Sequence, residues 1–217
     1  MIRTTFLVLL IAVLAGCNNP GSDDGFVSLF NGRNLDGWTG DTKGYIVENG
    51  EIRSRVPEPG EHLGNLFTSR EYANFILRFQ FKLTPGANNG LGIRAPLEGD
   101  AAFVGIELQI LENTHEKWAN LKPWQFHGSV YGVAAAERGY QNPPGEWNSQ
   151  QVLVDGRHVK VTLNGHVILD VDLDEVSRDG TVDGQDHPGL ARTKGHIGFL
   201  GHGDLVAFRN ISIKTLP

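Results

Sequence analysis

The chain has 217 residues and a formal charge of −6 at pH 7. That balance argues against a nucleic-acid partner, which a basic surface would recruit. One cysteine rules out an internal disulfide, and 40% hydrophobic residues rule out disorder, so the 28 Gly and 10 Pro are read as turn punctuation.

In chain order, the first element is a leader. Arg3 is followed by an unbroken apolar run, Phe6 to Leu14. The run is too short for a membrane-spanning helix, which needs about 20 apolar residues, but has the length of a signal-peptide core. It ends in Leu14-Ala15-Gly16-Cys17, which resembles the lipobox of bacterial lipoproteins. The resemblance implies cleavage after Gly16, lipidation of the Cys17 thiol and a membrane contact through that anchor alone. Several acyl chains at about 0.8 kcal/mol per buried methylene hold firmly. An ordinary secretory signal with a chance cysteine is the plain alternative. Residues 18 to 25 are polar and Gly-rich and read as a flexible tether. The expected division is therefore a signal peptide at 1–16, a lipid-anchored tether at 17–25 and one folded domain at 26–217. No Asp follows Cys17, which by the same resemblance points to the cell envelope, at the outer membrane or its periplasmic face.

The domain reads as strands. Alternation of apolar and polar residues marks a strand ending at Leu83, followed by a turn over Thr84 to Gly90 and a short strand at Leu91 to Arg94. Gly105 to Leu111 alternates again. Gln151 to Val154 and His158 to Leu163 form a hairpin around Asp155-Gly156. Asn164-Gly165 turns the chain into His166 to Val171, and Leu173 to Ser177 is at most a turn or two of helix. Ile197 to Leu200 and Leu205 to Lys214 close the sequence. His115 to Gly145 is aromatic, Pro-containing and aperiodic, which predicts long ordered loops of the kind that carry function. Many short strands with turn signals predict an all-β sandwich or barrel.

Alternation also sorts side chains. Ile106, Leu108 and Ile110 share one face of their strand, while Glu107 and Gln109 share the other, about 6–7 Å apart. If Ile93 faces the core, Arg94 joins Glu107 and Gln109. An acid, an amide and a guanidinium then converge on one sheet surface; alternatively they form a solvated face with a surface ion pair.

An ordered set of short segments carries a resemblance. Phe26-Val27-Ser28-Leu29-Phe30-Asn31-Gly32-Arg33-Asn34-Leu35-Asp36-Gly37-Trp38 is followed by Asn88-Asn89-Gly90, Ile93-Arg94, Glu107-Leu108-Gln109, Val130-Tyr131-Gly132 and Gly145-Glu146-Trp147-Asn148. Asn164-Gly165, Gly195-His196-Ile197-Gly198, His202-Gly203 and Phe208-Arg209-Asn210-Ile211 complete the set. From Phe26 to Lys214 the chain resembles the 3-keto-disaccharide hydrolase family. The resemblance implies a single-domain, concanavalin-like jelly roll of two antiparallel sheets, with a concave face for carbohydrate, and cleavage of glycosides oxidised to a ketone at C3. In one respect the chain departs from the pattern. Leu200 and Gly201 stand where members commonly carry Gln and Asp.

A C3 ketone acidifies the C2 proton, so the chemistry needs a base near C2 and a donor or cation at the enolate oxygen. Glu107 or His127 is the expected base, with Arg94 stabilising the oxyanion or orienting the sugar. Gln109 and Asn89 are expected on sugar hydroxyls, Trp124 and Tyr131 on the ring, and His202 at the same site. A two-carboxylate mechanism would instead pair acids such as Glu107 and Glu146. Trp38 and Trp147 fit core packing at least as well as stacking on sugar. Neither HxH nor HExxH occurs, which argues against zinc. No cofactor is required as far as the sequence goes, and a divalent cation on Glu107, Gln109 or loop carbonyls stays open. Two other classes stay open as well: a non-catalytic carbohydrate-binding lipoprotein, and a structural envelope protein.

Overall fold

The structure is a computed structural model describing residues 25–217. The expected leader, Cys17 and nearly all of the tether lie outside the described residues. Thirteen strands are present among the described residues: β1 (Val27–Ser28), β2 (Trp38–Gly40), β3 (Tyr45–Glu48), β4 (Glu51–Ser54), β5 (Leu66–Tyr72), β6 (Phe75–Leu83), β7 (Asn88–Ala95), β8 (Ile106–Leu111), β9 (Trp147–Asp155), β10 (His158–Leu163), β11 (His166–Asp172), β12 (Gly195–Gly201) and β13 (Val206–Thr215). Two single-turn helices, α1 (Ala101–Val104) and α2 (Leu173–Val176), complete the fold. The larger sheet runs β11-β10-β9-β6-β13-β4-β3, with β1 also paired to β13, and the smaller runs β2-β5-β12-β7-β8. All pairings are antiparallel. The expected β-sandwich of jelly-roll type is what forms.

Its core follows from alternation. On β6, Phe75, Leu77, Phe79, Phe81 and Leu83 are buried, while Ile76, Arg78, Gln80 and Lys82 are half-buried on the outer face. Phe199 of the smaller sheet stacks on Phe208 of the larger at 3.6 Å between ring centroids, 11° from parallel. Trp38 stacks on Phe199 in turn, at 5.6 Å. The sheets are thus joined face to face by aromatic rings, whose burial dominates such cores. Trp147 lies outside this core, on the outer face of the larger sheet, between Lys82 (4.5 Å) and Arg209 (4.0 Å).

The predicted turns form as their residues require. Asn164 (φ 49°) and Gly165 (φ 87°) supply the two positive φ values of a type I′ hairpin. Asn164 also donates to Tyr140 O and Asn148 Oδ1 and accepts from Ser149 N, fastening the hairpin to the neighbouring loop and to β9. The aperiodic segment is ordered, with 3₁₀ turns at Glu116–Trp118 and Pro123–Gln125. It then runs along the open edge of β8. Gly128 N donates to Gln109 O, Gln109 N to Ser129 O, and Tyr131 N to Glu107 O. The loop thereby covers the backbone that a sheet edge would leave unpaired, and it brings Tyr131 beside Glu107. Among the described residues no helix is long and apolar enough to cross a membrane.

Candidate active site

On the outer face of the smaller sheet, β7 presents bare backbone at Gly90 and Gly92. Cross-strand pairing sets Gly92 opposite Glu107 and Gly90 opposite Gln109 on β8, and sets Gly90 opposite Leu200 on β12. The glycines are a spatial requirement. A Cβ on Gly90 would sit 2.1 Å from Glu107 Oε1, and one on Gly92 would sit 3.1 Å from Leu200 Cδ2. Glu107 and Leu200 therefore lean over the glycine strip from opposite sides, making a trough with a carboxylate bank and an apolar bank.

The trough lies in a cleft of about 490 Å³. Asn88, Glu107, Gln109, Tyr131, Leu200 and His202 line it, with Leu63 to Asn65 on the β12 side. Trp118, Leu121 and Gln125 line the β8 side, and Asp100 to Phe103 close one end. Glu107 is only 5% exposed. Burial, reinforced by the nearby Asp100 carboxylate, pushes its pKa up to about 8. Gln109 orients it: with the amide turned to the one orientation that satisfies both of its ends, Nε2 donates to Glu107 Oε1 at 3.1 Å and to Asn89 O at 2.9 Å. Tyr131 Oη accepts from Gln125 Nε2 at 3.3 Å, which leaves its own proton to donate. His202 stands exposed at the rim of the cleft, where the surrounding protein lowers its pKa against the opposing pull of Asp204 and Asp100.

Of the residues singled out in the sequence, Glu107, Gln109, Tyr131 and His202 meet in this cleft. Asn89, Arg94, His127 and Trp124 do not line it. Arg94 belongs to β7, but its φ of 49° breaks the alternation, and the β12–β7 register shifts beside it. Its guanidinium is buried and donates to Ala73 O, Asn74 Oδ1 and Arg192 O. The expectation that Arg94 shares a face with Glu107 is thus corrected by that one backbone turn. His127 is 1% exposed, packs on Phe81 at 4.9 Å and bonds Gln150 Oε1 through Nε2 at 2.9 Å, on the core side of the larger sheet. Burial holds its pKa near 4. Asn89 faces inward beside Leu91 and opposite Ile110; it meets the site through its backbone carbonyl alone. Trp124 packs edge-on against Tyr131 at 5.1 Å and supports the cleft wall from behind.

Sequence reasoning missed Asn88, Asn65, Asp100 and Trp118. Alternation could have found Asn88: with Leu91 and Ile93 turned inward, position 88 and the two glycines must face outward. Asp100 carried no such signal; in the structure it caps α1, its Oδ1 accepting from Ala102 N at 3.1 Å. Among the described residues no three of His, Cys, Asp and Glu converge on a point where they could hold a metal ion.

Comparison with known proteins agrees with this architecture. Residues 25–214 match the family model described as 3-keto-alpha-glucoside-1,2-lyase-like domain. A 3-keto-disaccharide hydrolase of Bacteroides thetaiotaomicron is 26% identical over 91% of this chain and 80% of its own length. Two crystal structures from Parabacteroides distasonis, both described as candidate glycosyl hydrolases, superpose on the fold. One has TM-score 0.76 and 32% identity over 88% of this chain and 99% of its own; the other has TM-score 0.78 and 28% identity over 89% and 95%. With the match extending across nearly the whole described chain, the protein belongs to the 3-keto-alpha-glucoside-1,2-lyase-like domain family.

Proposed function

We propose that the protein cleaves the glycosidic bond of 3-keto-glycosides by elimination and rehydration, with Glu107 as the base. The observation that carries this reading is a desolvated carboxylate, oriented by Gln109 and lodged over Gly90 at the floor of a cleft of about 490 Å³, room enough for a pyranose. A base whose pKa lies near the working pH combines adequate strength with a usable ionised fraction. The ionised Glu107 takes the C2 proton, and the electron pair of that C–H bond becomes the enolate spanning C2, C3 and the C3 oxygen. The enolate re-forms the ketone as the C1–O bond breaks, leaving a C1–C2 double bond. The departing oxygen gains a proton, for which Tyr131 and the newly protonated Glu107 are donors lining the same cleft. Water then adds its oxygen to C1 while C2 recovers a proton, so the sum is hydrolysis. Asn88 and His202 are the remaining polar side chains suited to the ketone and ring hydroxyls.

The reading also assigns Cys17 a lipid anchor and the residues after it a tether, which would hold this domain at a membrane face in the cell envelope.

The test is exchange and release together. In D₂O the purified protein should exchange the C2 proton of a 3-keto-glucoside and free the aglycone, and Glu107→Gln should lower both by at least about a hundredfold. A base of this kind makes kcat/KM rise with pH through about 8; a profile that falls through the same value would make Glu107 an acid and overturn the assignment. Binding without exchange or release would leave a carbohydrate-binding protein.

A further inference from the structure

We infer that the cleft selects glycosides with a flat apolar aglycone, an aryl group above all, over those whose aglycone is a second sugar. The inference rests on the proposed ketoglycoside cleavage for which ring lies against Glu107, and concerns what its C1 substituent meets. Across the strip from Glu107, Leu200 packs with Phe67, Ala95 and Ala101 as an apolar cluster separate from the main core. The cluster exists because β12 carries glycine next to it. A Cβ on Gly198 would stand 2.3 Å from Phe67 Cδ1, so that ring lies flat across the backbone and builds the bank on which Leu200 rests. Leu63 lines the same side of the cleft.

The polar side chains near that bank are each partly engaged. Asn65 Oδ1 accepts from Gly201 N at 3.1 Å. Asp100 Oδ1 caps α1 on Ala102 N. Across the cleft, Gln125 spends Oε1 on Lys122 N and Nε2 on Tyr131 Oη. Glu107, the Gln109 Oε1, Asn88, Tyr131 and His202, on the floor and far side of the cleft, are enough for one pyranose. A second pyranose would press hydroxyls against Leu63, the part-exposed side chain of this bank, with the nearly fully buried Leu200 and Ala101 beside it. Each hydroxyl left without a partner weakens binding by about tenfold, whereas an aromatic face gains from the same contact. The chemistry agrees. The Leu200–Gly201 bank offers no side-chain proton donor, and a phenolic oxygen leaves as a stabilised anion with little need of one, unlike a sugar alkoxide.

The experiment compares an aryl 3-keto-glucoside with a 3-keto-disaccharide of the same anomeric configuration, using the full chain. The aryl substrate should be cleaved with at least tenfold higher kcat/KM. Leu200→Gln should narrow that ratio at least tenfold by improving the disaccharide and weakening the aryl substrate; Leu63→Gln, on the same bank but less buried, should narrow it in the same direction should the first variant not fold. Calorimetric binding of the corresponding unoxidised glucosides separates the two readings. Tighter binding of the aryl compound without cleavage of either ketone keeps this inference and sinks the catalytic one. Equal or stronger preference for the disaccharide, a ratio that neither variant moves, or absence of binding by both compounds overturns the inference.

Discussion

At the scale of single residues, Glu107 is held in tension. The unfolded chain releases its proton near the ordinary carboxylate pKa of about 4.5, and the folded chain near 8. Between those values the folded state binds more protons than the unfolded state, so stability falls as pH rises, and the loss is complete above about 8. Glu107→Gln keeps the shape and removes the charge. Its melting temperature relative to the parent should therefore climb between pH 5 and pH 9, corresponding to more than about 1 kcal/mol across that span; a constant difference in melting scans would contradict the burial argument. Gly90 is the complementary position. Its missing side chain is the space that the Glu107 carboxylate occupies. Gly90→Ala should push the carboxylate aside, costing at least about tenfold in kcat/KM but only about 1 kcal/mol in stability, because the displaced group is the end of a flexible chain. A denaturant titration run beside the kinetics tells displacement from unfolding.

At the scale of elements, the type I′ turn joining β10 to β11 is the most dependent on one side chain. Asn164→Ala would remove three hydrogen bonds and place a residue with no local bonding at φ 49°. A loss of about 2 kcal/mol is expected, read as a lower urea midpoint with unchanged slope. This hairpin was legible in the sequence because Asn-Gly has few other uses. The same holds for β6 and β8, whose apolar positions repeat at two and whose buried faces came out as expected. β1 through β5 were not legible. Four of them have two to four residues, and β5 buries Leu66, Phe67 and Thr68 in succession, so none of them shows a clean period. The site was half legible for a related reason. Glu107, Gln109, Tyr131 and His202 came from a regular strand or from the resemblance. Arg94 failed because one left-handed residue reverses the face of everything beside it, and His127 failed because a loop can turn a histidine toward the core as easily as toward solvent.

At the scale of the whole molecule, the charge and the proposed anchor make separate statements. An acidic domain does not bind an anionic lipid surface by its overall field, so attachment would depend on Cys17. Cys17→Ser should move the protein from the membrane to the soluble fraction on cell fractionation while the purified domain keeps its melting temperature. Persistence in the membrane fraction would mean another attachment. The topology adds a consequence in time. β13, which spans Val206 to Thr215, sits in the middle of the larger sheet between β6 and β4 and also receives β1. It also brings Phe208 to Phe199. Until those residues emerge from the ribosome, β6 and β4 have no shared neighbour and the two sheets lack their stacked rings. The nascent chain therefore cannot close its sandwich early, which would keep it threadable through a translocon if the proposed signal peptide directs it there.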